Sequence, residues 1–209
     1  MEAFRIYNTS YSSITITMKN FFTLGMLLWS VLFFHQLNAQ VAINEISADG
    51  QVEVINNGNE TVDISAYWLC DRPFYEQFQN LTVSCGSLML GANETVVVQM
   101  SAIDVNPDGD ELAIYTSSSF GSSAAMEDYV IWGNRMGSTR EPVAVGAGIW
   151  TSDDRAPAFS ESETLNWDGQ GDNADAWSAG SPTICTTGGG DCTVEGGTLA
   201  GGPFDFCVG

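Results

Sequence analysis

Histidine and lysine are almost missing from this chain of 209 residues, which has one histidine and six basic residues against 26 acidic ones, a net charge of −20. Past residue 39 the basic side chains are Arg72, Arg135, Arg140 and Arg155; no lysine remains, and the one histidine, His35, lies before that point. Each absence excludes a class of chemistry. A Ser-His-Asp or Cys-His mechanism lacks its base, a Schiff base lacks its amine, and a histidine-liganded metal lacks its ligand. Nucleic-acid binding relies on cations meeting phosphates, and scattered arginines on a polyanion do not make that footprint. Carboxylate chemistry is left: a glycosidase-like pair, or an oxygen-liganded cation such as calcium. The acidity also has a plain role, keeping a folded domain soluble.

Long apolar runs are missing too. The longest uncharged, mostly apolar stretch, Phe21 to Phe34, follows Met18-Lys19-Asn20 and precedes Leu37-Asn38-Ala39. A short basic region, an apolar core and a small residue before Gln40 form the layout of a secretory signal peptide over residues 1–39, with Met18 as the better start. The stretch falls short of the roughly 20 residues needed to span a bilayer. The expected location is therefore secreted or cell surface, with no membrane span in the mature chain.

What remains is rich in short period-2 segments. Val41 to Ser47 (VAINEIS), Gln51 to Gly58 (QVEVINNG, ending in an Asn57-Gly58 turn), Val62 to Ser65 and Tyr67 to Asp71 crowd into one stretch. Asn93 to Met100, Glu111 to Tyr115 and Glu127 to Asn134 continue the pattern. Alternation of this kind predicts half-buried strands. No stretch after Gln40 sustains a helical apolar stripe for three turns, so no helix is expected. The body runs from Val41 to about Gly137, and Pro142 to Thr183 reads as an irregular extension carrying Trp150, Trp167 and Trp177.

The order of these pieces resembles the lamin tail domain in its secreted bacterial form: N-E-I, V-E-V-I-N, V-D-I-S-x-Y-W-L, G-D-E-L and D-Y-V-I-W-G over about a hundred residues. The segments GIWTSDDRAPAF and NWDGQGDNADAWSAGSPT resemble that domain's closing stretch. The resemblance implies an all-β, immunoglobulin-like β-sandwich over residues 40–184, serving as an accessory module on an exported protein. The heptad rod and the basic character of nuclear lamins are absent, so a nuclear or filament role does not transfer.

Export permits disulfides, and the chain has five cysteines. A Cys70–Cys85 bridge would close a loop of roughly 15 residues, worth about 3 kcal/mol; two buried thiols are the alternative. Cys192 could pair with Cys207 or with Cys185, leaving one over. Residues 185–209 read either as a Gly/Cys-rich tail or as the truncated start of a further module.

Two acidic loops are candidate calcium sites. Asp104, Asn106, Asp108 and Asp110 follow the opening of a D-x-N-x-D-G loop, but Tyr115 stands where an EF-hand needs a glutamate, and a turn launching the next strand explains the same residues. Asp168, Asp172 and Asp175 sit among glycines, as in a calcium-wrapping loop or a solvated turn. Trp68 and Trp132 are expected in the core. Trp150, Trp167 and Trp177 either pin the extension down or offer a sugar platform. A small sandwich with short loops gives a carboxylate pair little concavity, so the expectation is a non-catalytic module with no cofactor except possible calcium. Its expected partner is an extracellular protein or polysaccharide. The alternatives are a calcium-dependent or carbohydrate-binding adhesion module, or an accessory domain of a secreted hydrolase.

Overall fold

The computed structural model describes residues 40–100 and 105–185. The expected signal peptide (residues 1–39), Asp104, Cys192 and Cys207 fall outside them. The described chain is mostly β, built from antiparallel sheets with one short α-helix. In order, the strands are β1 (Val41–Ser47), β2 (Gln51–Asn56), β3 (Val62–Asp63), β4 (Trp68–Asp71), β5 (Phe74–Gln77), β6 (Thr82–Gly86), β7 (Met89–Leu90) and β8 (Thr95–Gln99). They continue with β9 (Glu111–Tyr115), β10 (Met126–Ile131), β11 (Thr164–Trp167) and β12 (Trp177–Gly180); helix α1 is Glu141–Ala147. A six-stranded sheet has the order β12-β11-β1-β2-β8-β6, a four-stranded sheet β10-β9-β4-β5, and β3 pairs with β7.

The alternating apolar residues set the core. Ile43 and Ile46 of β1 lie opposite Val54 and Val52, which in turn lie opposite Val96 and Val98. These six residues share one hydrophobic cluster with Leu69, Leu112, Ile114 and Val130 of the four-stranded sheet. Burying an aliphatic side chain of this size contributes about 1.5–3 kcal/mol. Strict alternation would put Glu45 on the same face as Ile43. A register shift between these two residues inserts Asn44 as a bulge, so Ile46 returns to the core and Glu45 turns to the other face opposite Glu53.

The extension departs from its expected irregularity. It contributes a helix and two strands, and β11 adds to β1 in antiparallel register, Glu45 opposite Asn166. Helix α1 escapes the stripe criterion because it is only 7 residues long and buries Ala144 alone. Its boundaries obey local chemistry: Pro142 lies in its first turn, and Gly148 closes it in the left-handed region at φ 78°.

Cys70 and Cys85 are both buried, and they do not bridge: among the described residues no disulfide lies at bonding distance. The two residues belong to different sheets: Cys70 in β4 lies opposite Tyr75 and Ala113, whereas Cys85 in β6 lies opposite Val97 at the edge of the six-stranded sheet. Burial pushes the Cys70 thiol up to about 12, with the Glu111 carboxylate adding to the rise. Among the described residues, no helix is long and apolar enough to cross a membrane.

Candidate functional site: a cleft at one end of the six-stranded sheet

The strand order creates a recess. β1 lies between β11 and β2 and runs antiparallel to both, with Val41 opposite Asn56 at the end of β2 and Glu45 opposite Asn166 near the end of β11. The turn after β2 and the turn after β11 therefore rise on either side of Gln40. Between them lies a cleft of about 550 Å3, lined by Gln40, Asn57, Gly58, Asn59, Glu60, Trp167 and Gly169.

Each wall is held by hydrogen bonds. On the β2 side, Asn56 is fully buried, and its Nδ2 donates to the carbonyls of Glu60 (2.8 Å), Leu90 (3.0 Å) and Gly91 (3.1 Å). The Asn56 Oδ1 accepts from the Gly58 N–H at 2.9 Å, and the Asn57 N–H donates to the Gln40 carbonyl at 2.7 Å. Gly58 packs so closely on Gln40 that a Cβ there would meet Gln40 Cγ at 2.6 Å. Facing this turn, Trp167 is half-buried, lies opposite Trp177 in the β11–β12 ladder, and donates from Nε1 to the Gly171 carbonyl at 2.9 Å. The buried Nδ2 of Asn57 has no hydrogen-bond partner among the described residues. A tryptophan thus shares the recess with the amide side chains of Gln40, Asn57 and Asn59.

Beneath the cleft, Asn57 and Trp167 also line a void of about 10 Å3 that reaches Asp128, Tyr129, Asp172 and Trp177. That volume is at the lower limit for one water. Burial raises Asp172, and it pushes Asp128 up to about 7 despite the Ile43 and Tyr129 N–H groups that favour the carboxylate; the Asp172 charge adds to the rise.

Two further carboxylate groups lie apart from the cleft. On the outer face of the six-stranded sheet, Glu45 accepts the Thr183 N–H at 2.7 Å and the Thr183 hydroxyl at 2.5 Å. Its neighbour Glu53 accepts the Asn44 amide at 2.6 Å and the Cys185 N–H at 3.2 Å, and burial raises its pKa. At the four-stranded sheet, Asp71, Asp110 and Glu111 gather with Arg135 and Arg140. Glu111 accepts the Tyr129 hydroxyl and the Arg140 N–H, both at 2.7 Å. Burial, then the adjoining Asp110, pushes Asp71 up to about 8. Arg135 Nε stands 3.3 Å from Asp110 Oδ1, a charge contact without hydrogen-bond alignment. Arg140 bonds the Tyr75 hydroxyl, and its guanidinium carbon stands 5.3 Å from that ring's centroid. Glu111 and Asp71 line neither the cleft nor the void beneath it.

The acidic loops singled out in the sequence are locally bonded. Asn106 Oδ1 accepts the Asp108 N–H, Asp110 accepts the N–H groups of Asn106 and Glu111, and the Asn106 carbonyl accepts the Trp132 indole at 2.9 Å. The carbonyls of Pro107 and Asp108 accept N–H groups from Phe159 and Asn134. Asp168 accepts the Gln170 N–H at 2.7 Å, Asp172 turns toward Asp128, and Asp175 lies in a one-turn 3-10 helix. Among the described residues, no group of three or more His, Cys, Asp or Glu side chains could hold a metal ion.

The tryptophans divide. Trp132, Trp150 and Trp177 are buried in the core, Trp150 meeting Tyr129 edge-on at 5.5 Å. Trp68, expected inside, is only half-buried, with Phe120 edge-on at 5.4 Å. Trp167 alone of the extension's three lines the cleft. The opposite wall escaped sequence reasoning. Asn57-Gly58 was legible as a turn, but only the β11–β1–β2 pairing puts it across from Trp167. No protein-family model, no curated protein and no solved structure matches this chain.

Proposed function

We propose that this chain is an immunoglobulin-like sandwich of lamin-tail type, acting as a non-catalytic binding module of an exported or cell-surface protein. The cleft between the Asn57–Glu60 turn and Trp167 is the observation that supports this reading. It offers an aromatic plane and hydrogen-bonding amides, the mixture that small-ligand sites use for contact area and orientation. Glu60 is its one carboxylate, so it has no acid–base pair of its own. The raised carboxyl of Asp128 is buried and accepts the Ile43 N–H, which suits a structural role, and Asp71 lies outside the cleft. Retention of cell-envelope polysaccharide and surface-protein fractions on immobilised full chain tests the reading. Wild type should retain a fraction that Trp167→Ala loses, with no turnover of chromogenic glycosides, esters or peptides. Steady turnover of any of these substrates would overturn it.

A further inference from the structure

The chemistry of the cleft narrows its ligand. We propose that it binds a neutral polysaccharide chain, one sugar ring stacking on the Trp167 indole while Gln40, Asn59 and Glu60 take its hydroxyls; this rests on the binding-module reading above. Four observations carry it.

First, the lining joins a single indole to amide and carboxylate groups and includes no aliphatic side chain. A pyranose has the matching duality, with apolar C–H faces and a rim of hydroxyls that both donate and accept. Amides donate and accept as well, and a carboxylate accepts. An acyl chain would find too little apolar surface, and a quaternary ammonium would need a cage of several rings.

Second, the charge excludes anions. No arginine lines the cleft, Glu60 stands in it and Asp168 adjoins it. Uronates, sulfated glycans and phosphates would meet repulsion with no compensating cation.

Third, the platform is fixed before any ligand arrives. Indole Nε1 is committed to Gly171, the Trp167 backbone is paired with Trp177, and Asn56 locks the facing turn. A preorganised ring loses little freedom on binding.

Fourth, the size suits a glycan segment. About 550 Å3 lies inside the range of roughly 300–1,000 Å3 typical of small-ligand sites. Asn59, Glu60 and Gly169 at its rim are exposed, so a chain can enter from solvent.

The test is calorimetric titration of the full chain with the hexasaccharides of β-1,3-glucan, β-1,4-glucan, xylan, mannan and chitin, with hexagalacturonate as the anionic control. At least one neutral hexasaccharide should bind. Trp167→Ala should weaken that binding about tenfold or more, Trp167→Phe less, and Asn59→Ala about two- to fivefold. Asn59 lies on an exposed turn, so its variant keeps the test decisive even where Trp167→Ala fails to fold. Absence of binding by every neutral hexasaccharide at about 10 mM, a concentration that detects very weak sites, would overturn the inference. So would binding indifferent to both Trp167→Ala and Asn59→Ala, or a preference for hexagalacturonate. If no saccharide binds while a surface-protein fraction is still retained, the ligand class falls and the binding-module reading stands; turnover would remove the latter instead.

Discussion

The carboxylate of Asp128 accepts the backbone N–H of Ile43 at 2.6 Å, tying β10 at the edge of one sheet to β1 inside the other. Its neighbour Glu127 does the same at the start of β1, accepting the N–H groups of Gln40 and Val41 at 3.0 and 3.3 Å. Side chains thus satisfy backbone donors at a place where no strand pairs with this end of β1 from the β10 side. A register shift between Met126 and Asp128 aims the two consecutive carboxylates.

Because Asp128 is raised from 3.8 to about 7, the native chain holds its proton at pH values where the unfolded chain has released it. Stability from this group is therefore present at low pH and lost as pH rises through 7. Asp71, raised to about 8, acts in the same sense. The protein should be more stable at pH 5.5 than at pH 8, by on the order of 2 kcal/mol from Asp128 alone. Urea midpoints at the two pH values read this directly. Asp128→Asn, which keeps an acceptor for Ile43 but cannot titrate, should narrow the gap by that amount. A variant gap equal to the wild-type gap would refute the assignment.

Glu45 should prove costly to truncate although it is a charged residue in a strand. Glu45→Ala removes two hydrogen bonds that a buried charged group accepts from the Thr183 N–H and hydroxyl, a loss of about 2–4 kcal/mol. Glu45→Gln, which still accepts one of them, should lose about half as much. Chemical denaturation followed by tryptophan fluorescence gives both values.

Gly133 admits no side chain. It sits at φ 55°, and a Cβ would come within 2.0 Å of the Asp108 carbonyl oxygen. Gly109, on the facing turn, would drive a Cβ to 2.5 Å from the backbone nitrogens of Asn134 and Arg135. Gly133→Ala should therefore destabilise by about 3 kcal/mol or more, because backbone and not a flexible side chain must yield. Gly121→Ala, with nothing within 4 Å of its Cβ, is the matched control and should stay within about 0.5 kcal/mol of wild type. Thermal melts of the two variants decide the matter.

Cys70 should resist alkylation in the folded protein, since it is buried and its thiol is pushed up to about 12. In denaturant without reductant it should react fully, because no bridge holds it. Intact-mass analysis after iodoacetamide treatment distinguishes this from a disulfide, which would leave Cys70 unlabelled in both conditions.

Much of the strand content was legible. VAINEIS and ELAIY match β1 and β9 end to end, and β2 and β8 fall inside the expected segments Gln51–Gly58 and Asn93–Met100, because runs rich in β-branched and apolar residues leave little choice. The bulge at Asn44 was not legible: nothing in N-E-I says that Glu45 leaves the core face, and only pairing with Glu53 does. β5 (FYEQ), β11 (TLNW) and β12 (WSAG) escaped because four residues make too short a pattern, and β11 gains its stability from a strand near the opposite end of the described chain. For the cleft, Trp167 stood out by its chemistry. Its facing amides were ordinary turn residues until the topology gave them a function. The cysteine pair misled for a related reason: proximity in sequence said nothing about which sheet each strand would join.

Glu45 and Thr183 meet across 138 residues of chain, and β11 joins β1 from nearly as far. During synthesis β1 is made first but cannot be flanked on both sides until almost the whole domain has emerged. Such long-range closure slows folding, and an unflanked apolar strand invites pairing with another molecule. A charged side chain in mid-strand is one of the features that disfavour such edge pairing, and in the folded chain the same carboxylate holds Thr183.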